Sequence, residues 1–236
     1  MLETEVVYYN VVDGEEAKDA VLVQGLPGVG LVAKAAVAYL LDKVEKVRVC
    51  RFMSPDFQNI AFIRDGLIIY SFADLFLAKT QRPLLLLYGN AQPSTSFGQH
   101  EFCDKLMEVC VNIGCSFVLT LGGYGRQETT EERKLYCSST REQVLKKYLP
   151  MINGSLFSGQ IIGVAGILLT EAERRNIDNL SVLAETFGAA PDFEGARRAV
   201  EAVVKLADLD IPVGTPEEIS RSYSDIVSRH DLSYSP

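Results

Sequence analysis

The sequence predicts an α/β fold: a single domain with a mainly parallel sheet flanked by helices, together with an antiparallel hairpin. Three observations predict this fold. Short apolar runs at 20–24, 84–87 and 117–121 each lead into glycine, which is typical of strands buried on both faces of a parallel sheet. Segments of helical periodicity separate such runs, so strands and helices alternate. The dipeptide Asp65-Gly66 stands between two apolar segments and predicts a tight hairpin turn.

The first half of the chain contains two predicted helices. The helix at 29–41 has one charged residue, Lys34, and apolar residues on every face, so we expect it to be buried almost all round. The second helix has apolar residues at helical spacing over 102–113, and Ser96 with Gln99 predicts a capping box at its start. The remaining strand-like segments of this half are 47–51 and the hairpin arms, 59–63 and 67–72.

The second half predicts three helices and a last strand at 180–187. Ser139 and Glu142 predict the cap of a helix that ends at Pro150. The next helix begins after Asp192, and the last begins at the capping signature that starts with Thr215. In the helix after Asp192, the apolar stripe that we expect in the core includes Phe193, Val200, Val203 and Val204.

Two parts of the second half are less regular. Segment 161–169 is apolar with two glycines, and it fits either a strand followed by a helix or a helix throughout. The polar stretch from His230 onward lacks apolar residues to pack on the domain, so we expect it to be mobile. The predicted organisation is therefore one α/β domain at 1–229, including the C-terminal helix, and a mobile tail at 230–236.

Charge and composition exclude several functional classes. The 236 residues include 31 acidic and 23 basic ones, a net charge of −8 without a basic cluster, which argues against nucleic acid or an anionic membrane as the main partner. No apolar run reaches the roughly 18 residues of a membrane helix, and no signal-peptide pattern begins the chain, so we expect a cytoplasmic protein. The five cysteines lie in apolar stretches without a C-x-x-C pair, which predicts buried thiols. With two histidines, no His-rich metal site is expected.

The glycine turn at 25–30 joins a predicted buried strand to a predicted buried helix, where α/β proteins bind phosphates. It is not a P-loop, because Leu31 and Val32 stand where lysine and a hydroxyl residue belong. It fits the dinucleotide pattern G-x-G-x-x-A at 28–33, but the ribose-binding acid is missing near Arg51, which could only favour a 2′-phosphate. We favour a structural turn, in which Gly28→Val destabilises the fold if Gly28 has a positive φ.

The alternative is a ligand site at the predicted strand ends, formed by Gly25, Gly28, Gly30, Gly122 and Gly123. The segment 122–126 after the later strand fits a second site loop or flexible chain. No catalytic residues are predicted: the chain has no G-x-S-x-G elbow, Glu128, Glu131 and Glu132 lie in a solvated charge run, and His100 is expected at the surface.

Five motifs in order carry a family resemblance that covers about 6–211. They are GLPGVGLVAKAAVAYLL (25–41), LLLLYGNAQPS (84–94), LTLGGYG (119–125), GVAGILL (163–169) and LSVLAETFG (180–188). The set resembles the proteasome assembly chaperone family, in particular archaeal and bacterial relatives of the second proteasome assembly chaperone. The resemblance implies a nucleoside phosphorylase/hydrolase-like fold, a homo-oligomer, binding to proteasome α subunits or the 20S core particle, and neither catalysis nor a cofactor.

Family chaperones can end in a tail of a hydrophobic residue, Tyr and any residue, which docks between α subunits. The resemblance therefore makes Leu232, Tyr234 and Pro236 the candidate partner-binding residues. This chain departs from the pattern, because Ser233 replaces the hydrophobic residue and two residues follow Tyr234. The alternative function is a small-molecule enzyme on the same fold, acting on a nucleoside-like or nucleotide ligand at the glycine turns.

Overall fold

The fold is built on one main β-sheet. The sequence predicted some of its strands and missed others. The computed structural model describes residues 3–12, 14–58, 60–188 and 191–231. The strands within them are β1 (Glu5–Tyr8), β2 (Ala20–Gly25), β3 (Lys46–Met53), β4 (Phe62–Arg64), β5 (Leu67–Ile69), β6 (Ala73–Ala78), β7 (Leu84–Gly89), β8 (Cys115–Gly125), β9 (Leu135–Ser138), β10 (Ser155–Leu156) and β11 (Asp178–Thr186). The helices are α1 (Val32–Lys43), α2 (Ser96–Asn112), α3 (Glu142–Tyr148), α4 (Val164–Arg174), α5 (Phe193–Ala207) and α6 (Pro216–Ile226), which a π-helical turn, Val227–Asp231, extends.

The main sheet has a parallel centre and mostly antiparallel margins. Its strand order within the described residues is β1-β3-β6-β7-β2-β8-β11-β9-β10. Strands β7, β2, β8 and β11 run parallel to one another, while β6, β3 and β1 continue the sheet antiparallel on one side and β9 pairs antiparallel with β11 on the other. Every residue of β2 and β7 is buried, as in parallel strands covered on both faces. The predicted α/β fold is confirmed.

Helices cover both faces of the parallel centre. On one face α1 packs against β2, β7 and β8 and also against α5 and α6, so it is buried on nearly all sides, as predicted from its apolar sequence. On the other face α2 and α4 pack against each other and against β8. Each face therefore has its own apolar core, and the sheet separates the two.

The hairpin is confirmed at the predicted turn, but it does not join the main sheet. Asp65 and Gly66 both have positive φ, and β4 pairs with β5 in a separate two-stranded sheet. The antiparallel part of the main sheet comes instead from β1, β3, β6 and β9, of which only β3 was predicted. Strand β6 escaped prediction because the buried Asp74 interrupts its apolar run.

The ambiguous segment 161–169 contains the start of a helix. Gly163 has φ +85 and precedes α4, whose first residue is Val164. The last strand is confirmed as β11, and the helix after Asp192 is confirmed as α5, because the Asp192 carboxylate accepts a hydrogen bond of 2.8 Å from the Gly195 N–H.

Two predicted helix caps are wrong, and one is confirmed. At the start of α2 the cap is Thr95, whose hydroxyl accepts from the Gly98 N–H at 3.1 Å, while the amide of Gln99 donates to the Pro93 carbonyl. Ser139 does not cap α3, because its hydroxyl donates to the Asn179 carbonyl at 2.6 Å beside strand β11. The capping box at the start of α6 forms as predicted from Thr215 and Glu218.

Candidate functional site

A cavity lies where the parallel strands β2 and β8 end. It has a volume of about 450 Å³ and is lined by the glycine turn after β2, the glycine-rich end of β8 and the segment before α4. We call it the strand-end cavity. Ligands of open α/β sheets bind at this edge, beyond the carboxyl ends of the strands, because loops rather than helices close the sheet there. Gly28, Gly122 and Gly123 line the cavity.

The glycine turn packs tightly at two of its three glycines. A Cβ atom at Gly25 would lie 2.4 Å from the Cβ of Val37, so this glycine lets α1 approach β2. Gly30 has φ +62, and its Cβ would lie 2.5 Å from the Thr186 hydroxyl oxygen. Gly28 instead has φ −155, an extended conformation open to any residue, with no atom within 4 Å of a Cβ. Gly28 therefore lacks the positive φ on which the expected strain depended, and Gly30 is the glycine of this turn with a positive φ.

The segment after residue 121 was expected to be a second site loop or flexible chain. It is instead the end of strand β8, which runs to Gly125. Gly122 and Gly123 continue β8 and pair with Leu183 and Ala184 of β11. A Cβ at Gly123 would lie 2.3 Å from the Val29 carbonyl oxygen, so this glycine makes room for the turn after β2. The two glycine segments therefore pack on each other.

The described residues that line the strand-end cavity are all uncharged. The amide of Gln24, oriented so that both of its atoms are satisfied, donates to the Leu121 carbonyl and accepts from the Leu26 N–H. The Gln92 amide donates to the Pro27 carbonyl at 2.8 Å. The lining residues comprise apolar groups, glycines, amides and the Tyr124 phenol. Such a cavity can bind an uncharged molecule through apolar contact and amide hydrogen bonds, while Glu128, Glu131 and Glu132 stay exposed outside it.

Arg51, the residue that could have favoured a 2′-phosphate, is already paired. Its guanidinium donates twice to the buried carboxylate of Asp74, at 2.7 and 2.8 Å, and stacks on the Phe72 ring. Arg48 lies 3.5 Å from the same carboxylate. This pairing directs Arg51 to the inner strands of the main sheet and away from a cofactor.

The C-terminal end of the described chain is anchored in the core by an ion pair. The Lys34 ammonium lies 2.6 Å from a carboxylate oxygen of Asp231, and only 7% of the lysine side chain is exposed. The ammonium also lies 5.3 Å from the centre of the Tyr88 ring and 5.9 Å from that of Tyr223. We call this cluster the C-terminal anchor. The ion pair connects the π-helical turn after α6 to α1, and the rings of the two tyrosines lie beside it.

The anchor corrects the predicted start of the tail. His230 and Asp231 were assigned to the tail at 230–236, yet the His230 ring packs edge-on against Phe76 with centres 5.4 Å apart. Burial, with Lys46 adding to it, lowers the pKa of His230. Burial and the nearby Asp231 raise the pKa of Tyr223. The candidate partner-binding residues Leu232, Tyr234 and Pro236 lie outside the described residues.

The five cysteines and His100 are the other groups whose reactivity was considered in the sequence. All five cysteines are buried free thiols, as predicted, and burial raises the pKa of Cys50 and of Cys137 to about 12. His100 lies exposed on α2, as predicted. In the described parts of the chain, no three His, Cys, Asp or Glu side chains come together as a metal site requires. None of the described helices combines the length and apolar character needed to span a membrane.

Comparison with known proteins identifies the family. A model of the PAC2 family matches residues 22–229, which is most of the chain. The chain belongs to the PAC2 family. An uncharacterized protein of Methanocaldococcus jannaschii is 27% identical to this PAC2 chain over 233 residues, covering 97% of the chain and 90% of that protein.

Several solved structures have the same fold as this PAC2 chain. Pyrococcus furiosus PbaB, an archaeal proteasome activator, superposes with a TM-score of 0.84 at 25% identity, covering 97% of this chain and 99% of PbaB. Pyrococcus furiosus PbaA, an archaeal homolog of proteasome-assembly chaperone, gives 0.75 at 20% identity, with 97% and 91% covered. A proteasome-assembly chaperone homologue of Mycobacterium tuberculosis gives 0.69 at 16%, with 91% and 97% covered.

Sequence analysis missed the C-terminal anchor of this PAC2 chain. One signal was present, because Lys34 is the single charge in an otherwise apolar helix and a buried lysine requires a partner. Nothing in the local sequence identifies that partner as Asp231, since 197 positions separate the two residues. The glycine turns, by contrast, were found because strand, turn and helix are contiguous.

Proposed function

We propose that this protein is a non-enzymatic, proteasome assembly chaperone-like protein of the cytoplasm that binds proteasome α subunits or the 20S core particle. The observation that carries the proposal is the end-to-end similarity to PbaB, an archaeal proteasome activator, at 25% identity over 97% of this chain and 99% of PbaB. Membership of the PAC2 family and the likeness to PbaA support it.

The C-terminal anchor supports a contact through the chain end. Because Lys34 holds Asp231 in the core, the five residues after it start from a fixed point on the domain. We expect these residues to be mobile in the free protein and to dock through Tyr234, whose ring supplies contact area and whose hydroxyl supplies a hydrogen bond. One such tail binds weakly, because its ordering costs entropy and Ser233 stands where the family pattern has a hydrophobic residue.

Avidity supplies the remaining affinity in this proposal. A homo-oligomer presents several tails, and several tails that engage neighbouring pockets of one α ring bind more tightly than one by a factor of roughly 10² to 10⁴. The fixed starting point of each tail reduces the conformational space that it searches. The proposal therefore needs both a multimeric protein and an intact chain end.

The test is a binding assay with purified α subunits of the source organism and with their assembled core particle, at micromolar concentration. The parent should bind, deletion of 232–236 should weaken binding strongly, and Tyr234→Ala should reproduce most of the loss. Tyr234→Phe is the matched control for the hydroxyl alone. Undiminished binding by the deletion variant would move the contact to the folded body, and no binding by the parent would reject the proposal.

A second candidate function rests on the strand-end cavity, whose volume of about 450 Å³ suits a small ligand. In this alternative the protein is an enzyme that acts on a nucleoside-like or nucleotide molecule. Thermal-shift titration with adenosine, ATP, NAD and NADP separates the candidates, because a ligand that binds only the native state must raise the melting temperature. We expect no shift, and a saturable rise of several degrees with one compound would favour the alternative.

A further inference from the structure

The β4–β5 hairpin exposes an unusual amount of apolar surface. Its two strands pair only with each other within the described residues. Of its side chains, Ile63 is 69% exposed, Leu67 68%, Ile68 55% and Phe62 38%. Met53, Ile60 and Tyr70, which flank the hairpin, are exposed as well. We call this set of residues the hairpin patch.

Both faces of the hairpin are apolar. Ile63 pairs with Ile68 and therefore shares one face with it, while Phe62 pairs with Ile69 and lies on the other, beside Leu67. A two-stranded hairpin without further strands or a covering layer is marginally stable in water, because neither face leaves water when it forms. A hairpin of this composition gains its stability when another surface covers it.

Charge does not select the partner of the hairpin patch. The charged residues of the β4–β5 hairpin are Arg64 and Asp65, whose side chains lie 3.6 Å apart and neutralise each other. The chain as a whole carries a net charge of −8. A strongly charged partner would find no complementary charge at this patch, whereas an equally neutral apolar surface would fit it.

A receiving groove lies beside the protruding hairpin. It has a volume of about 480 Å³, lies between the hairpin and the end of β3, and is lined mostly by apolar side chains that include Met53, Phe57 and Ile69. The hairpin patch thus offers protruding side chains and a groove for them on the same part of one chain. A two-fold interface between identical chains requires this self-complementarity.

We infer that the β4–β5 hairpin is the surface through which two copies of this chain associate, each hairpin covering the other and reaching the groove at the other's base. Stable interfaces bury ~800 Å² per partner, and the hairpin patch contributes seven large apolar residues that are 37–69% exposed. This inference rests on the self-association in the proposed function and assigns it to one surface.

The experiment measures mass by light scattering at micromolar concentration, where a monomer has 26.0 kDa. The parent should give at least twice this mass. The variant Ile63→Asp/Leu67→Asp should give about 26 kDa, because a dimer would bury two unpaired carboxylates from each copy, one on each face of the hairpin. The matched control, Met151→Asp/Leu156→Asp, adds the same charges to exposed apolar positions near the opposite margin of the sheet and should keep the parent's mass.

A milder variant serves as a control in case the double Asp variant misfolds. Ile63→Thr/Leu67→Thr places β-branched side chains, which suit a strand, at both positions but removes apolar area, so it should raise the dissociation constant at least tenfold while the circular dichroism stays that of the parent. A monomeric parent, or an unchanged mass in both hairpin variants, would overturn the inference. So would a parent whose hairpin amides gain protection from hydrogen exchange only when α subunits are added.

The two proposals fail in different ways. If the hairpin inference is wrong, the mass does not respond to the hairpin variants, whatever the protein binds. If the proposed function is wrong, the parent does not bind α subunits, whatever its mass. A dimer that depends on the hairpin and binds no α subunit would retain the inference and reject the function.

Discussion

At the scale of single residues, Lys34 shows how one charge in an apolar helix can have a long-range role. Its ammonium is buried against two tyrosine rings and paired with Asp231. Removal of one partner from a buried ion pair leaves the other unpaired, at a cost of roughly 3–5 kcal/mol. Asp231 lies in the last described turn, so this turn can unfold locally and expose the unpaired charge to water. The loss of stability is then limited to the free energy of that local unfolding.

We therefore predict that Lys34→Met releases the π-helical turn Val227–Asp231. The amides of this turn should exchange with deuterium at least tenfold faster than in the parent, while those of β2 change little. The control Lys205→Met removes an exposed lysine and should leave the turn protected. The double variant Lys34→Met/Asp231→Leu should recover much of the protection, since two apolar groups replace a charged pair at little cost. Unchanged exchange in Lys34→Met would contradict the anchor.

A second prediction at this scale concerns the glycine turn. Gly30→Ala should lower the free energy of unfolding by about 1–3 kcal/mol, because φ is +62 there and the new Cβ would lie 2.5 Å from the Thr186 hydroxyl oxygen. Gly28→Ala is the matched control and should stay within about 0.5 kcal/mol of the parent, since its backbone is extended and no atom lies within 4 Å of a Cβ. Urea unfolding measures both. Equal losses would contradict the assigned geometry.

At the scale of elements, helix α5 shows a core-facing stripe. Val200 and Val203 are fully buried, while Phe193 and Val204 are partly buried against the same core. This agrees with the stripe expected from the 3.6-residue period. The helix is held at its start by Asp192, whose carboxylate caps it and also pairs with Arg133 at 3.1 Å.

We predict that Val203→Asp abolishes soluble expression or lowers the free energy of unfolding by several kcal/mol, because an unpaired carboxylate would be buried. Lys205→Asp puts the same side chain on the exposed side of the same helix and should cost no more than about 1 kcal/mol. Expression yield and urea unfolding are the measurements. Normal folding of Val203→Asp would mean that α5 faces another way.

At the scale of the whole molecule, the pH dependence of stability should follow His230. Burial lowers its pKa below 6.5 in the folded protein, so the unfolded chain takes up a proton at a higher pH than the folded one. The stability that neutral His230 contributes is fully present above about pH 6.5 and is lost as the pH falls through the folded pKa.

The melting temperature should therefore fall between about pH 7.5 and 5.5, and the fall should be smaller in His230→Gln. The exposed His100 provides the control, because His100→Gln should leave the pH dependence unchanged. An equal fall in the parent and in His230→Gln would assign the effect to other groups.

The sequence by itself determined the parallel centre of the sheet, the buried helix α1 and the capped helices α5 and α6. These features are local: a strand covered on both faces reads as an unbroken apolar run, and a cap needs only two residues three positions apart. The turn of the hairpin is local for the same reason, since Asp65 and Gly66 alone supply the positive φ values. The cysteines were predicted as buried thiols because their neighbours are apolar.

Only the tertiary structure decided which strands complete the sheet, where the chain end is held and what stays exposed. Strand β6 contains Asp74, and its place beside β3 depends on pairing with Arg51, 23 positions earlier. Lys34 and Asp231 meet across 197 positions, and the hairpin is exposed because no other part of the described chain covers it. Such contacts form between distant segments, and the chain near either partner carries no signal of the other.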